Sequence, residues 1–227
     1  MTKRSHIVLG SLVAACLAAQ VAGSGKPSDD SHVVPLKPFI VGASDKRIEP
    51  IHGDRTKPGE PFVIRIHAEA GFVIMPHLHP VDENIVVIRG SWAFAMGEHF
   101  NKQRLEPMEV GAYAFGPGNM AHFAFSKTDT VIQVHGVGPF RVKWVAPQYE
   151  LTDQGIVRRE AAEDPGTTVA EAPKDCFALK LGTSVRAGYG TGVIIGAQCT
   201  PGELTQYRVQ MKNGRHFWAQ RDALEAL

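Results

Sequence analysis

Between Gly71 and Gly90 the chain carries His77, His79 and Glu83 within seven residues, and a second block from Gly111 through Pro117 ends on His122. Three neutral imidazoles and one carboxylate form a ligand set for a single divalent transition metal, and iron, manganese, zinc, nickel and copper all accept it. A lone histidine on a strand is usually structural, and His-x-His alone is a weak sign. The signal here is the combination of close spacing, a nearby carboxylate, bracketing glycines and a distant Pro-containing block that ends in histidine. Beyond these four metal-ligand candidates, the sequence singles out no residue as catalytic, and the catalytic residues stay unknown.

The elements that position them must be strands. Side chains alternate across a strand, so His77 and His79 share a face, and Glu83, four residues further, is expected to return to it. His122 must then arrive on another strand facing that surface. Strand-like runs are legible at 61–67, 84–89, 92–96, 112–116, 122–126, 131–135 and 141–145, with turns at Arg89-Gly90-Ser91, Gly116-Pro117-Gly118 and Gly136-Val137-Gly138-Pro139. No helical period is sustained there. Short strands with Gly/Pro turns predict an all-β sandwich or small barrel.

The two blocks resemble the two motifs of the cupin superfamily, G-x5-H-x-H-x3/4-E-x6-G and G-x5-P-x-G-x2-H-x3-N. The first matches at Gly71, His77, His79, Glu83 and Gly90, and the second at Gly111, Pro117 and His122. Asn119 replaces the second motif's glycine and Ser126 its asparagine. Asparagine is the residue after glycine that best tolerates a left-handed turn, and the other change removes no metal ligand. The resemblance covers about residues 61–145. It implies a double-stranded β-helix, or jelly roll, over 39–149, and a metal held by His77, His79, Glu83 and His122. It also implies a small-molecule ligand in the barrel, and a homodimer, since cupins often pair through barrel edges.

The barrel interior should be mostly apolar, with Phe72, Ile74, Trp92, Phe94, Tyr113, Phe115, Phe123 and Phe125 as lining candidates. His52, Arg65, His67 and His135 are the polar candidates, most simply read as structural.

Lys3 and Arg4 precede an apolar run, Ile7 to Ala22, followed by small and polar residues. This pattern predicts a signal peptide over 1–23 and a periplasmic or secreted protein. The run is short for a membrane span, so none is expected. Val13-Ala14-Ala15-Cys16 also resembles a lipoprotein box, which would anchor the chain through Cys16. Loss of a leader holding two bases and no acid takes the formal charge from +1 to −1. Nothing in that balance points to nucleic acid. The two remaining cysteines, Cys176 and Cys199, pair naturally in an oxidising compartment, with two buried free thiols as the alternative.

Residues 24–38 read as a flexible arm, and 150–175, acidic and poor in large apolar residues, as a linker with a short helix near Glu160–Glu163. Asn213-Gly214 between two strand-like runs predicts a hairpin. Residues 176–227 resemble a small SH3-like or tudor-like β-barrel, an accessory module carrying six basic and three acidic side chains. Two functions are consistent with these features. One is a metal-dependent, dioxygenase-type oxidoreductase acting on a small oxygenated or aromatic compound. The other is a non-catalytic, metal-bound binding or sensing module with a partner-binding C-terminal barrel.

Overall fold

The computed structural model of the chain describes residues 33–40 and 47–227. The expected leader, Cys16 and most of the arm lie outside these residues. Ten strands run in order through the first part: β1 (Ile48–His52), β2 (Pro61–Ala68), β3 (Val73–Leu78), β4 (Glu83–Arg89), β5 (Trp92–Met96), β6 (Glu106–Met108), β7 (Tyr113–Gly116), β8 (His122–Ser126), β9 (Thr130–Val137) and β10 (Lys143–Thr152). Seven follow: β11 (Gly155–Ala161), β12 (Thr167–Val169), β13 (Ser184–Ala187), β14 (Gly190–Thr200), β15 (Leu204–Met211), β16 (His216–Gln220) and β17 (Glu225–Ala226). Among the described residues, no helix is long and apolar enough to cross a membrane.

One antiparallel sheet has the order β1-β2-β9-β4-β7, and the other runs β16-β15-β14-β10-β3-β8-β5-β6. Alternation decides what enters the space between them. Phe62, Ile64 and Ala68 of β2, Ile85 and Val87 of β4, and Ile132 and Val134 of β9 share one buried core with Trp92, Phe94 and Ala124 from the other sheet. At about 1.5–3 kcal/mol for each large apolar side chain, this burial is the principal force holding the sheets face to face. The all-β architecture expected from the strand pattern is observed, in the jelly-roll form that the family resemblance implies.

The interval 150–175 departs from the expected linker. β10 continues through Tyr149–Leu151 to pair with Cys199–Ala197 of β14, and β11 and β12 add to its other edge. Near Glu160 there is a strand rather than a short helix. The composition is poor in large apolar groups, yet Leu151 packs against a second core of Leu179, Val185, Ile194, Tyr207, Val209 and Phe217. Backbone pairing, which composition does not report, supplies the rest. Cys176 and Cys199 form a disulfide with Cα atoms 5.7 Å apart. β13 to β16 form an antiparallel meander through β14, and β17 returns to pair with β13.

The second core is keyed to the beginning of the first motif. The Gln206 side-chain amide, 2% exposed, accepts the Val73 N–H at 3.0 Å and donates to the Val73 carbonyl at 2.7 Å. It thereby imitates a paired strand residue. The Trp218 N–H donates to the Ala70 carbonyl at 2.7 Å, and Arg208 grips the buried Glu69 carboxylate with two N–H groups. Gly71, at φ +82°, lies against the Trp218 carbonyl, where any Cβ would collide. Gln206→Ala should therefore strand two buried polar groups of Val73 and cost about 2–4 kcal/mol, read as a lower urea midpoint with an unchanged m-value. A loss below about 0.5 kcal/mol would show that the halves are not coupled through this residue.

Candidate metal centre

His77 lies near the end of β3, and the turn Pro80-Val81-Asp82 carries the chain from one sheet to the other before Glu83 opens β4. Glu83 thus meets the histidines from the opposite sheet, and the single-strand alternation expected for it does not apply. The convergence is right but its route is different. A bulge prepares His77. β3 spends three residues from Ile74 to His77 where β8 spends two from Ala124 to His122, so the side-chain phase shifts by one. Pro76 falls within this bulge, where no ladder N–H is needed. His77 then stands directly opposite His122 across the β3–β8 pair.

Ligand-capable nitrogens of His77, His79 and His122 all lie within 4.8 Å of one another, and all three residues are buried. The other ring nitrogen of each is tied to a backbone carbonyl. Nδ1 of His77 lies 2.9 Å from the Met75 carbonyl, that of His79 2.8 Å from the Arg141 carbonyl, and that of His122 3.1 Å from the Met120 carbonyl. A carbonyl only accepts, so in each ring the proton belongs on Nδ1, and the Nε2 lone pair is left toward the centre. Burial holds the His77 imidazole well below its ordinary pKa, reinforced by His122 and His79, and burial also lowers His79, against the pull of Glu83. Both effects favour neutral imidazole, the form that ligates.

The Glu83 carboxylate completes the cluster, 2.7 Å from Nε2 of His122 and 3.6 Å from Nε2 of His79. Glu83 Oε1 and His122 Nε2 are buried and make no hydrogen bond. With the His122 proton on Nδ1, two lone-pair-bearing atoms face each other at close range, an arrangement that repels unless a metal cation or a further proton stands among them. The donor set fits a divalent transition metal on this observation. Gly116, paired with Glu83 across β4 and β7, makes room for it, since a Cβ there would lie 2.7 Å from Glu83 Cγ and Oε1. Asn119 adopts φ +61°, as its replacement of glycine requires, and its N–H bonds the His79 carbonyl at 2.6 Å.

Aromatic rings enclose the imidazoles. Phe140 stacks on His79 with centroids 3.9 Å apart, Trp144 meets His77 edge-on at 5.5 Å, and Phe94 lies 5.3 Å from His122. Of the expected lining residues, Phe72, Trp92 and Phe94 belong to the inner core, with Ile74 packed against it. Tyr113 and Phe115 instead point outward from β7 and are exposed. Phe123 and Phe125 alternate with the inward His122 and Ala124, so they face away; Phe123 packs on Phe100. The sequence itself implies this orientation once His122 faces inward. Sequence reasoning does not find Phe140 or Trp144; the position of Phe140 just after the Gly138-Pro139 turn is the one signal for it. His67 lies on the outer face of β2, bound to Glu49 and to the Ile40 N–H, and His135 on the outer face of β9 beside Asn84. Arg65 faces outward opposite Gln133, and His52 is exposed at the end of β1. None of these four joins the cluster. A groove of about 610 Å³ lined by Leu151, Ile156, Phe177 and Leu181 lies on the C-terminal half and shares no residue with it.

Opposed sheets in this order, joined by two motifs that bring three histidines and a glutamate to one end, make a jelly roll with an internal ligand cluster. The fold resembles that of the cupins. A structure search finds an RmlC-like cupin from Desulfovibrio desulfuricans, 21% identical over 48% of this chain and 98% of that one, with TM-score 0.35. It also finds a double-stranded β-helix protein from Klebsiella pneumoniae, 18% identical over 53% and 96%, TM-score 0.38. An acetylacetone dioxygenase from Acinetobacter johnsonii matches at 12% over 53% and 80%, TM-score 0.39. No protein-family model and no curated protein matches the chain.

The cupin-like cluster has a pH signature of its own. His77 and His79 are held neutral in the fold, whereas in the unfolded chain they protonate near pH 6.5. The unfolded state therefore binds more protons on acidification. Stability is complete above the ordinary histidine range and falls as pH drops through it toward the lowered folded values. Metal-free protein should lose stability progressively as pH falls from about 7.5 to about 5.5, measured by urea unfolding. The double variant His77→Gln/His79→Gln should lose much of that slope; an unaltered slope would place the acid sensitivity elsewhere.

Proposed function

We propose that this chain is an exported, cupin-like metalloprotein in which His77, His79, Glu83 and His122 hold one divalent transition metal. We propose further that it works as a dioxygenase-type oxidoreductase on a small oxygenated or aromatic compound. One observation carries the metal reading: the convergence of imidazole Nε2 atoms, with their Nδ1 atoms already committed to carbonyls, on a buried carboxylate oxygen that has no hydrogen bond. When bound, the metal supplies a redox centre or a Lewis acid toward a substrate oxygen. The chain's own residues keep His77 and His79 neutral, aim all three imidazoles, keep Glu83 within reach, and exclude water with the rings of Phe94, Phe140 and Trp144. The leader-like N-terminus and the Cys176–Cys199 disulfide support export, since such bonds persist in oxidising compartments.

A second reading, a non-catalytic binding or sensing module, is favoured by the character of those neighbours. The rings around the three histidines are aromatic, and none of them serves as a general acid or base. In that reading the C-terminal meander, closed by β17 on β13, is an SH3-like accessory barrel that engages a partner. The position of β7 at a sheet edge, unpaired on one side among the described residues and with Tyr113 and Phe115 exposed beside it, supports a homodimer in either case.

Metal analysis of the purified protein should find one transition metal ion per chain. His79→Ala should weaken it by more than about 100-fold, beyond the cost of losing an outer hydrogen bond, and Glu83→Gln should weaken it less. Retained stoichiometric metal in His77→Ala/His79→Ala would sink the assignment. Fe(II)- or Cu(II)-loaded protein should consume dioxygen with enolic or flavonol-like compounds. Full metal occupancy without uptake across that set would turn the choice to the binding module.

A further inference from the structure

Glu163 lies just beyond β11, in the interval whose composition suggested a linker. Its carboxylate accepts the Val142 backbone N–H through both oxygens, at 3.3 and 3.1 Å, and an Arg55 guanidinium N–H at 3.0 Å. The Val142 N–H and the Arg141 carbonyl are the two ends of one peptide group. That carbonyl accepts the Nδ1–H of His79 at 2.8 Å.

We propose that Glu163, acting through the Arg141–Val142 peptide, is a positioning residue for His79: an outer carboxylate that fixes the imidazole's orientation and strengthens Nε2 as a donor. The consequence for metal binding rests on the metal-site reading; the relay itself does not. The peptide group is planar, so fixing its N–H also fixes the direction of its carbonyl. A carboxylate on the N–H polarises the amide, and the carbonyl becomes a better acceptor toward the buried His79, because chained hydrogen bonds polarise one another even though Glu163 itself lies at the surface. Partners behind a ligating imidazole typically change metal affinity by about 10–100-fold. His77 has no equivalent, because its anchoring Met75 carbonyl belongs to the peptide of Pro76, which has no N–H.

The surroundings hold this peptide in place. The Phe140 N–H donates to the Arg55 carbonyl at 2.6 Å, Arg55 Nη1 donates to the Phe140 carbonyl at 3.0 Å, and the Ala162 N–H donates to the Val142 carbonyl at 3.1 Å. The Phe140 ring, one residue before the relayed carbonyl, lies stacked on His79 itself. Arg55 shares only Oε1, which leaves Oε2 to Val142.

Glu163→Gln separates the relay from a simple clamp, because it keeps an acceptor oxygen at the same reach and removes the charge. Two measurements apply: the NMR resonance of the His79 Nδ1–H in metal-free protein, and Co(II) affinity by titration. Glu163→Gln should move that resonance upfield and lower affinity about tenfold, with Glu163→Ala at least as severe. Glu160→Gln, which removes an exposed carboxylate of β11 paired with Arg158, should change neither. A Glu163→Gln protein indistinguishable from the parent, beside a Glu163→Ala protein that loses cobalt, would overturn the relay and leave a loop clamp. No effect from either variant would remove Glu163 altogether. If the parent takes no cobalt yet the His79 resonance still moves in Glu163→Gln, the relay stands and the metal reading falls.

Discussion

The site depends on where three imidazole protons are held. Each histidine gives Nδ1–H to a backbone carbonyl, at Met75, Arg141 and Met120, and so turns an Nε2 lone pair toward the others. Histidines free to rotate or exchange tautomers would relieve that crowding by turning away. Burial between two sheets prevents this and also keeps His77 and His79 neutral. The apolar packing of the two sheets holds the four ligand groups together at one end of the core.

That constraint explains features that otherwise look incidental. The β3 bulge sets the phase at which His77 meets His122, and Gly116 leaves the volume that the Glu83 carboxylate occupies. The loop after β9 carries both the ring stacked on His79 and the carbonyl that orients it. It is braced from outside by Arg55 and Glu163. Outer residues far apart in sequence thus converge on a single imidazole.

The C-terminal half contributes differently. Gln206, Arg208 and Trp218 fasten to Val73, Glu69 and Ala70, the residues that lead into the first motif. The two cores are therefore mechanically continuous through β10 and through this junction.

Much of the fold and the candidate site was legible beforehand, for a physical reason. Alternation has period 2, so β2, β4 and β9 announce their inward faces, and glycine and proline mark where the chain must turn. The types of His77, His79, Glu83 and His122 alone name the chemistry their cluster can support. The sequence could not say that Glu83 arrives from the opposing sheet, because a three-residue turn and a longer strand look alike in one dimension. Nor could it show that 150–175 joins the sheet, since backbone pairing leaves little trace in composition. The carbonyl anchors of the histidines and the Glu163 contact are main-chain encounters between distant segments. They have no side-chain signature, and only the tertiary structure decides them.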